Sequence, residues 1–176
     1  MKLPLAYYGH PILRKKAQPI TDINDTIRQL VDDMTETMEF NHGCGLAAPQ
    51  VHQSVALFIT SIPHYAEDDT VIPGKLRVFI NPKIISYSAE EWTCEEGCLS
   101  IPDLRGEVTR PFKITIQATN LNGEVFTEEF EEFDAHVMMH ENDHLNGVLY
   151  TDRLPPKQKK EIENYLRTLK KKYNPK

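Results

Sequence analysis

Two histidines four residues apart, in His140-Glu141-Asn142-Asp143-His144, constrain this chain more than any other feature. On an α-helix four residues advance about 400° and rise ~6 Å, so both imidazoles share one face and can reach one ion. Glu141, one step along, is placed to handle a proton on a water held at that ion. A catalytic metal takes three protein ligands and keeps a position open, so a third donor is needed. The elongated HExxHxxGxxH pattern is half present, with Gly147 in place but Tyr150 where the last histidine belongs. His136 lies about 12 Å of rise from His144, too far to join it on one ion, and reads as pocket wall or surface. Glu161 and Glu163 stand on a Lys-rich terminal stretch. Cys98, just after Gly97, makes a reasonable tetrahedral set with two histidines and Cys94 is a rival, although Cys98 taken alone reads better as a buried apolar residue.

The chain around this motif has 176 residues, 40% hydrophobic and 26% charged, which suits one globular domain rather than a disordered chain. The longest apolar run is Val55 to Ile59, far short of the ~20 residues of a membrane span. Met1 to Leu5 has no signal-peptide core, so export and organelle import are not expected. Three cysteines do not make a disulfide framework and point to a reducing compartment. The formal net charge of −6 does not favour a nucleic-acid binder. Charge is uneven, however: Lys157 to Lys176 holds eight Lys/Arg and two Glu.

Apolar residues at Ile23, Ile27, Leu30, Val31, Met34 and Met38 predict a helix over 22–40, with cap candidates in Thr21 to Asp25. A Gly-rich loop follows from Gly43 to Gln50. Val55 to Thr60 reads as a strand and 61–76 as a surface loop. Val78 to Ile80 and Lys83 to Tyr87 read as short strands broken by Asn81-Pro82. Residues 112–130 form a hairpin turning at Asn122-Gly123. Asp134 is expected to cap the motif helix, which ends near Gly147. Pro155-Pro156 opens a last helix with Ile162, Tyr165, Leu166 and Leu169 on one face. The predicted class is α+β, short antiparallel strands around a central metal-binding helix plus a C-terminal helix.

Three blocks stand in order: Gly43-Cys44-Gly45-Leu46-Ala47-Ala48-Pro49-Gln50, Glu96-Gly97-Cys98-Leu99-Ser100, and His140-Glu141-Asn142-Asp143-His144. Together they resemble the peptide deformylase family, whose motifs read GxGLAAxQ, EGCLS and HExDH. Tyr8 to Arg14 and Asn146 to Tyr150 extend the likeness to roughly residues 4–154. The resemblance implies a bacterial, cytoplasmic, metal-dependent hydrolase that removes the formyl group from the initiator methionine of new chains. It implies residues 1–154 as the catalytic domain and 155–176 as a basic amphipathic helix of the same domain. It implies Cys98, His140 and His144 as ligands of one divalent ion, Fe(II) in the cell, with Zn(II), Ni(II) or Co(II) as substitutes. Glu141 would be the general acid/base, and Gln50 with the Leu99 backbone N–H would hold the oxyanion. Gly45, Gly97 and Arg105 would receive an extended N-formylmethionyl peptide as an added strand. The basic C-terminal helix would dock on the ribosome; no DNA or membrane partner is expected. Competing readings are a catalytically silent metal-binding module of the same fold and a metallopeptidase using a non-Cys third ligand. Against the family pattern, His52 replaces a usual Gly, Cys44 an aliphatic, Met139 a frequent Gln, and His136 an Arg or Ile.

Overall fold

The motif helix ends at a glycine and is walled in by strands. The computed structural model that resolves this arrangement describes residues 1–175. In chain order the elements are α1 (Asp25–Phe40), β1 (Gly45–Ala47), β2 (Leu57–Thr60), β3 (His64–Tyr65), β4 (Val71–Ile72), β5 (Arg77–Tyr87), β6 (Glu91–Cys98), β7 (Ile101–Pro111), β8 (Lys113–Thr119), β9 (Val125–Glu131), α2 (Glu132–Leu145) and α3 (Pro156–Tyr173). Strands β1-β2-β5-β8-β9 form a five-stranded sheet in that order, and β6-β7 and β3-β4 form two-stranded ones. Every pairing among these strands is antiparallel, as the α+β class requires. None of the helices in the described residues is long and apolar enough to cross a membrane.

Local chemistry accounts for the elements. Asn24 caps α1 by accepting from the Ile27 N–H at 3.1 Å, so the helix starts three residues later than predicted. Its predicted stripe is buried at Val31, Met34 and Met38. The Asn122-Gly123 turn joins β8 to β9, with Gly123 at φ +81°. Helix α2 is buried on almost every side, from Ala135 to Glu141 and from Asp143 to Leu145. A helix enclosed in this way is a core helix, and its polar groups must find partners inside the protein.

Several expectations are corrected. The Gly43–Gln50 segment is not wholly loop: Gly45–Ala47 pairs as edge strand β1, and Ala48–Val51 forms a 3-10 turn. The surface loop 61–76 contains the exposed pair β3-β4. Asn81-Pro82 does not break a strand but shifts the register of β5 between Ile80 and Lys83. Asn81 holds that bulge at φ +49° and exchanges two hydrogen bonds with the Ile20 backbone, each 2.8 Å. Asp134 lies inside the first turn of α2 and accepts from His64, while the cap position is Glu131 without a side-chain bond. Strands β6 and β7 were not anticipated, because their exposed charged faces blur the period-2 pattern.

Helix α3 begins at Pro156 and buries Leu169 against Leu13, Ile101, Val108 and Tyr150. Gly147 closes α2 at φ +72°, and a Cβ there would stand 2.5 Å from the Arg14 carbonyl oxygen. Gly147→Ala therefore meets backbone strain and a clash. Gly123→Ala, with φ +81° but open space around it, meets strain alone. The former should cost about 2–3 kcal/mol and the latter about 1 kcal/mol in denaturant unfolding. Equal losses would contradict this packing.

Candidate metal centre

Three donors converge between α2 and the β6-β7 hairpin. Ligand atoms of Cys98, His140 and His144 all lie within 4.8 Å of one another. The Cys98 Sγ is 3.3 Å from His144 Nε2. The two histidines come together as the helical spacing demands, with ring centroids 5.1 Å apart. Cys98 arrives from the other direction, where the β6-β7 register shifts between Gly97 and Cys98. Of the rival donors, Glu161 and Glu163 are exposed on α3, and neither they nor Cys94 belong to this cluster. A peptidase-type glutamate ligand therefore has no support. Tyr150, where the elongated motif would place histidine, instead lays its ring over His140 with centroids 6.0 Å apart.

A thiol and two imidazoles form a three-donor set for one divalent ion such as Fe(II) or Zn(II), which leaves a position for exchange. The surroundings fit a cation. Glu141 Oε2 is buried without a hydrogen-bond partner, as is His144 Nδ1. Burial holds His144 well below the usual imidazole range, in the neutral form that ligates. Burial pushes the Glu141 carboxyl up to about 7, against the pull of His140. Glu141 also explains Gly45: a Cβ there would lie 2.6 Å from Glu141 Oε1.

Behind the donors stands a buried charge network that sequence reasoning missed. Glu96 Oε1 accepts from His140 Nδ1 at 2.9 Å, which leaves Nε2 of that ring for a metal. Glu96 Oε2 is 2.9 Å from His136 Nδ1, and the His136 Nε2 donates to the Trp92 carbonyl. His136 is thus a buried part of the cleft wall rather than a surface residue. Arg110 donates to both Glu96 oxygens and, through Nη1, to Asp143 at 2.8 Å. Arg153 completes the chain with two bonds to Asp143. Burial opposes charge on Glu96, but bonds from His136, His140 and Arg110 outweigh it and hold the carboxyl well below the usual carboxylate range. Glu96 and Asp143 were within the recognised motifs, whereas no pattern singles out Arg110 in an alternating strand.

The remaining predicted residues line one open cleft of about 520 Å³: Gln50, Leu99, Gly45, Gly97 and Arg105. The Gln50 amide is fully oriented. Its Oε1 accepts from the Ala47 N–H at 2.9 Å, so Nε2 points to Cys98 Sγ at 3.5 Å and Ser100 Oγ at 3.1 Å. Arg105 is exposed, beside Gly97 and paired to Glu95 at 2.7 Å. Among the departures, His52 adopts φ +63°, the left-handed backbone that suits glycine, and packs edge-on to His10. Cys44 is in the cleft, and Met139 is buried in the core.

Since Glu96 orients His140, Glu96→Gln should weaken zinc or iron retention about 10- to 100-fold in a chelator competition while the chain stays folded. Unchanged retention would show that the network does not act on the ligand.

This chain is similar to known proteins in both sequence and fold. The family described as polypeptide deformylase matches residues 2–160. A peptide deformylase of Christiangramia forsetii is 39% identical, over 97% of this chain and 91% of that protein. The crystal structure of Arabidopsis thaliana peptide deformylase 1B in complex with an inhibitor superposes with a TM-score of 0.87 at 36% identity, covering 98% of this chain and 92% of that one. A class I type b peptide deformylase of Acinetobacter baumannii, solved with Met-Ala-Ser bound, gives 0.81 at 35% identity, covering 88% and 99%. With the sequence blocks, the donor cluster and these relatives in agreement, this chain belongs to the polypeptide deformylase family.

Proposed function

We propose that the cleft hydrolyses the formyl amide of N-formylmethionyl nascent peptides, releasing formate and a free amino terminus. The observation that carries this reading is the convergence of the Cys98, His140 and His144 donor atoms beside Glu141 and the oriented Gln50 amide. Cys98 Sγ and one nitrogen of each histidine would hold a single divalent ion, Fe(II) in the cell. When bound, that ion supplies Lewis-acid polarisation and a nucleophile at neutral pH. Glu141 takes a proton from the attacking water as the new C–O bond forms. It returns that proton to the leaving nitrogen as the C–N bond to the formyl carbon breaks. Gln50 Nε2 and the backbone N–H of Leu99 donate to the formyl oxygen as it gains charge. Edge strand β1 and the outer side of β6 border the cleft, which supports an extended peptide adding beside Gly45 and Gly97 with Arg105 at its flank.

Residues 1–154 are read as the catalytic part and 155–176 as a basic helical stretch of the same domain, of which Lys176 lies outside the described residues. Lys157, Lys160 and Lys171 are exposed on α3, whose apolar side packs inward. This supports docking on phosphate-rich ribosomal RNA, a salt-sensitive contact. Action on nascent chains would place the protein in the bacterial cytoplasm, and its three cysteines are free, as that compartment favours.

Two tests follow. Anaerobically purified protein should release formate from a formyl-Met tripeptide with about one iron per chain. In the same assay Cys98→Ala should lose metal and activity together, whereas Gln50→Ala should keep metal and lose about 10²–10³ in kcat. A full metal site without formate release would favour the silent-module reading. Because α3 is part of the core, the ribosome test is charge reversal rather than truncation. Lys157→Glu/Lys160→Glu/Lys171→Glu should reduce ribosome co-sedimentation and leave the tripeptide rate unchanged; undiminished co-sedimentation would refute docking.

A further inference from the structure

A buried glutamine must place a rigid, planar amide that carries one acceptor oxygen and a two-proton donor nitrogen. Gln50 is 1% exposed, and both ends of its amide find partners inside the protein. Oε1 accepts from the Ala47 N–H at 2.9 Å. Nε2 donates to Ser100 Oγ at 3.1 Å and to Cys98 Sγ at 3.5 Å. Sulfur is a weak acceptor and its contact is the longest of the three, so it is the one a forming oxyanion can displace.

Ser100 is held as firmly as the amide it meets. It is fully buried at the turn between β6 and β7, and its carbonyl accepts from the Tyr8 N–H at 2.9 Å. The Gln50 carbonyl accepts from the Ala6 N–H at 2.7 Å. One short run of the N-terminal segment thus braces both backbones, and the side-chain bond from Gln50 to Ser100 closes the bracket. Among the described residues no imidazole or carboxylate bonds to the Ser100 hydroxyl, so nothing activates it as a nucleophile.

We propose that Ser100 is a positioning residue for the Gln50 amide, holding one N–H so that the other is aimed at the metal centre. The proposal rests on the deformylase reading above, in which Gln50 Nε2 donates to the formyl oxygen. The planarity of the amide carries the argument. With Oε1 tied to Ala47 and one N–H tied to Ser100, the direction of the second N–H is determined, and it faces Cys98. Without the hydroxyl the amide keeps only its Oε1 anchor and can swing about it. The donor is then oriented during the reaction rather than beforehand, which forfeits part of its effect. A neutral formyl oxygen gains little from this donor and the developing oxyanion gains most, so the loss falls on kcat rather than on KM. Ser100 acts through Gln50 and touches no reacting atom.

The experiment compares metal-loaded wild type, Ser100→Ala, Gln50→Ala and the double variant on a formyl-Met tripeptide, with metal content and melting temperature read on the same samples. Ser100→Ala should lower kcat about 3- to 30-fold, between the worth of one hydrogen bond and the loss of a whole oxyanion donor, with KM and metal content unchanged. Ser100→Thr, which keeps the hydroxyl, should recover most of the rate. In the Gln50→Ala background the serine change should cost nothing more, because its effect runs through an amide that is no longer there. Equal losses in the two backgrounds, an unchanged kcat, or loss of metal or fold in Ser100→Ala would overturn the positioning role alone. Failure of the wild type to release formate would overturn the reaction and the positioning role with it.

Discussion

The Glu96 carboxylate is the interaction on which the rest of the structure depends. It is buried, and it joins the β6-β7 hairpin to the central helix through His136 and His140 while Arg110 neutralises it. Bringing such charges out of water costs several kcal/mol per ion, and attraction within the pair roughly offsets this when every hydrogen bond is made. The network is therefore better understood as fixing geometry than as adding stability. It holds the His140 ring in one tautomer and orientation and sets Cys98, two residues beyond Glu96, at the distance where it meets both histidines. Asp143 repeats the device one turn later on α2, between Arg110 and Arg153.

A helix enclosed on almost every side requires this compensation. His136, His140, Glu141, Asp143 and His144 are all buried, a dense set of ionisable groups for one helix. His136 and Asp143 are satisfied by protein partners. Glu141 Oε2 and His144 Nδ1 are not, and they belong to the residues where chemistry is proposed. Unsatisfied buried polar atoms are rare in folded proteins, so their concentration here marks the site as firmly as the donor cluster does. The same close packing explains why Gly45 is glycine: the Glu141 side chain fills the space of a Cβ.

Much of this was legible in the chain. Spacing alone put His140 and His144 on one face, and Asn122-Gly123 identified the β8-β9 turn. The motif blocks brought Gln50, Cys98 and Glu141 together as candidates before any coordinates. What stayed hidden depended on partners distant in sequence. Cys98, Cys94 and two glutamates were all open as third ligands, because helical periodicity says nothing about which strand approaches the helix. Arg110 looked like an ordinary strand charge, since only its burial against Glu96 and Asp143 distinguishes it. Pro82 reads as a strand breaker until Asn81 is seen bonding Ile20 across a bulge. The Gln50-Ser100 bond spans 50 residues of chain, which no local pattern can foresee.

The sequence by itself determined the helix period, the strong turn, the donor types and the order of the motif blocks, because each arises from covalent geometry or side-chain chemistry over a few residues. The tertiary structure alone decided which donors meet, which charges are buried together, and which walls the cleft has. Those depend on burial and on closure of contacts over 40 or more residues, as between Glu96 and His140 or Gln50 and Cys98. Water screens such charges in the unfolded chain, and only exclusion of solvent in the packed core gives their pairing a defined geometry.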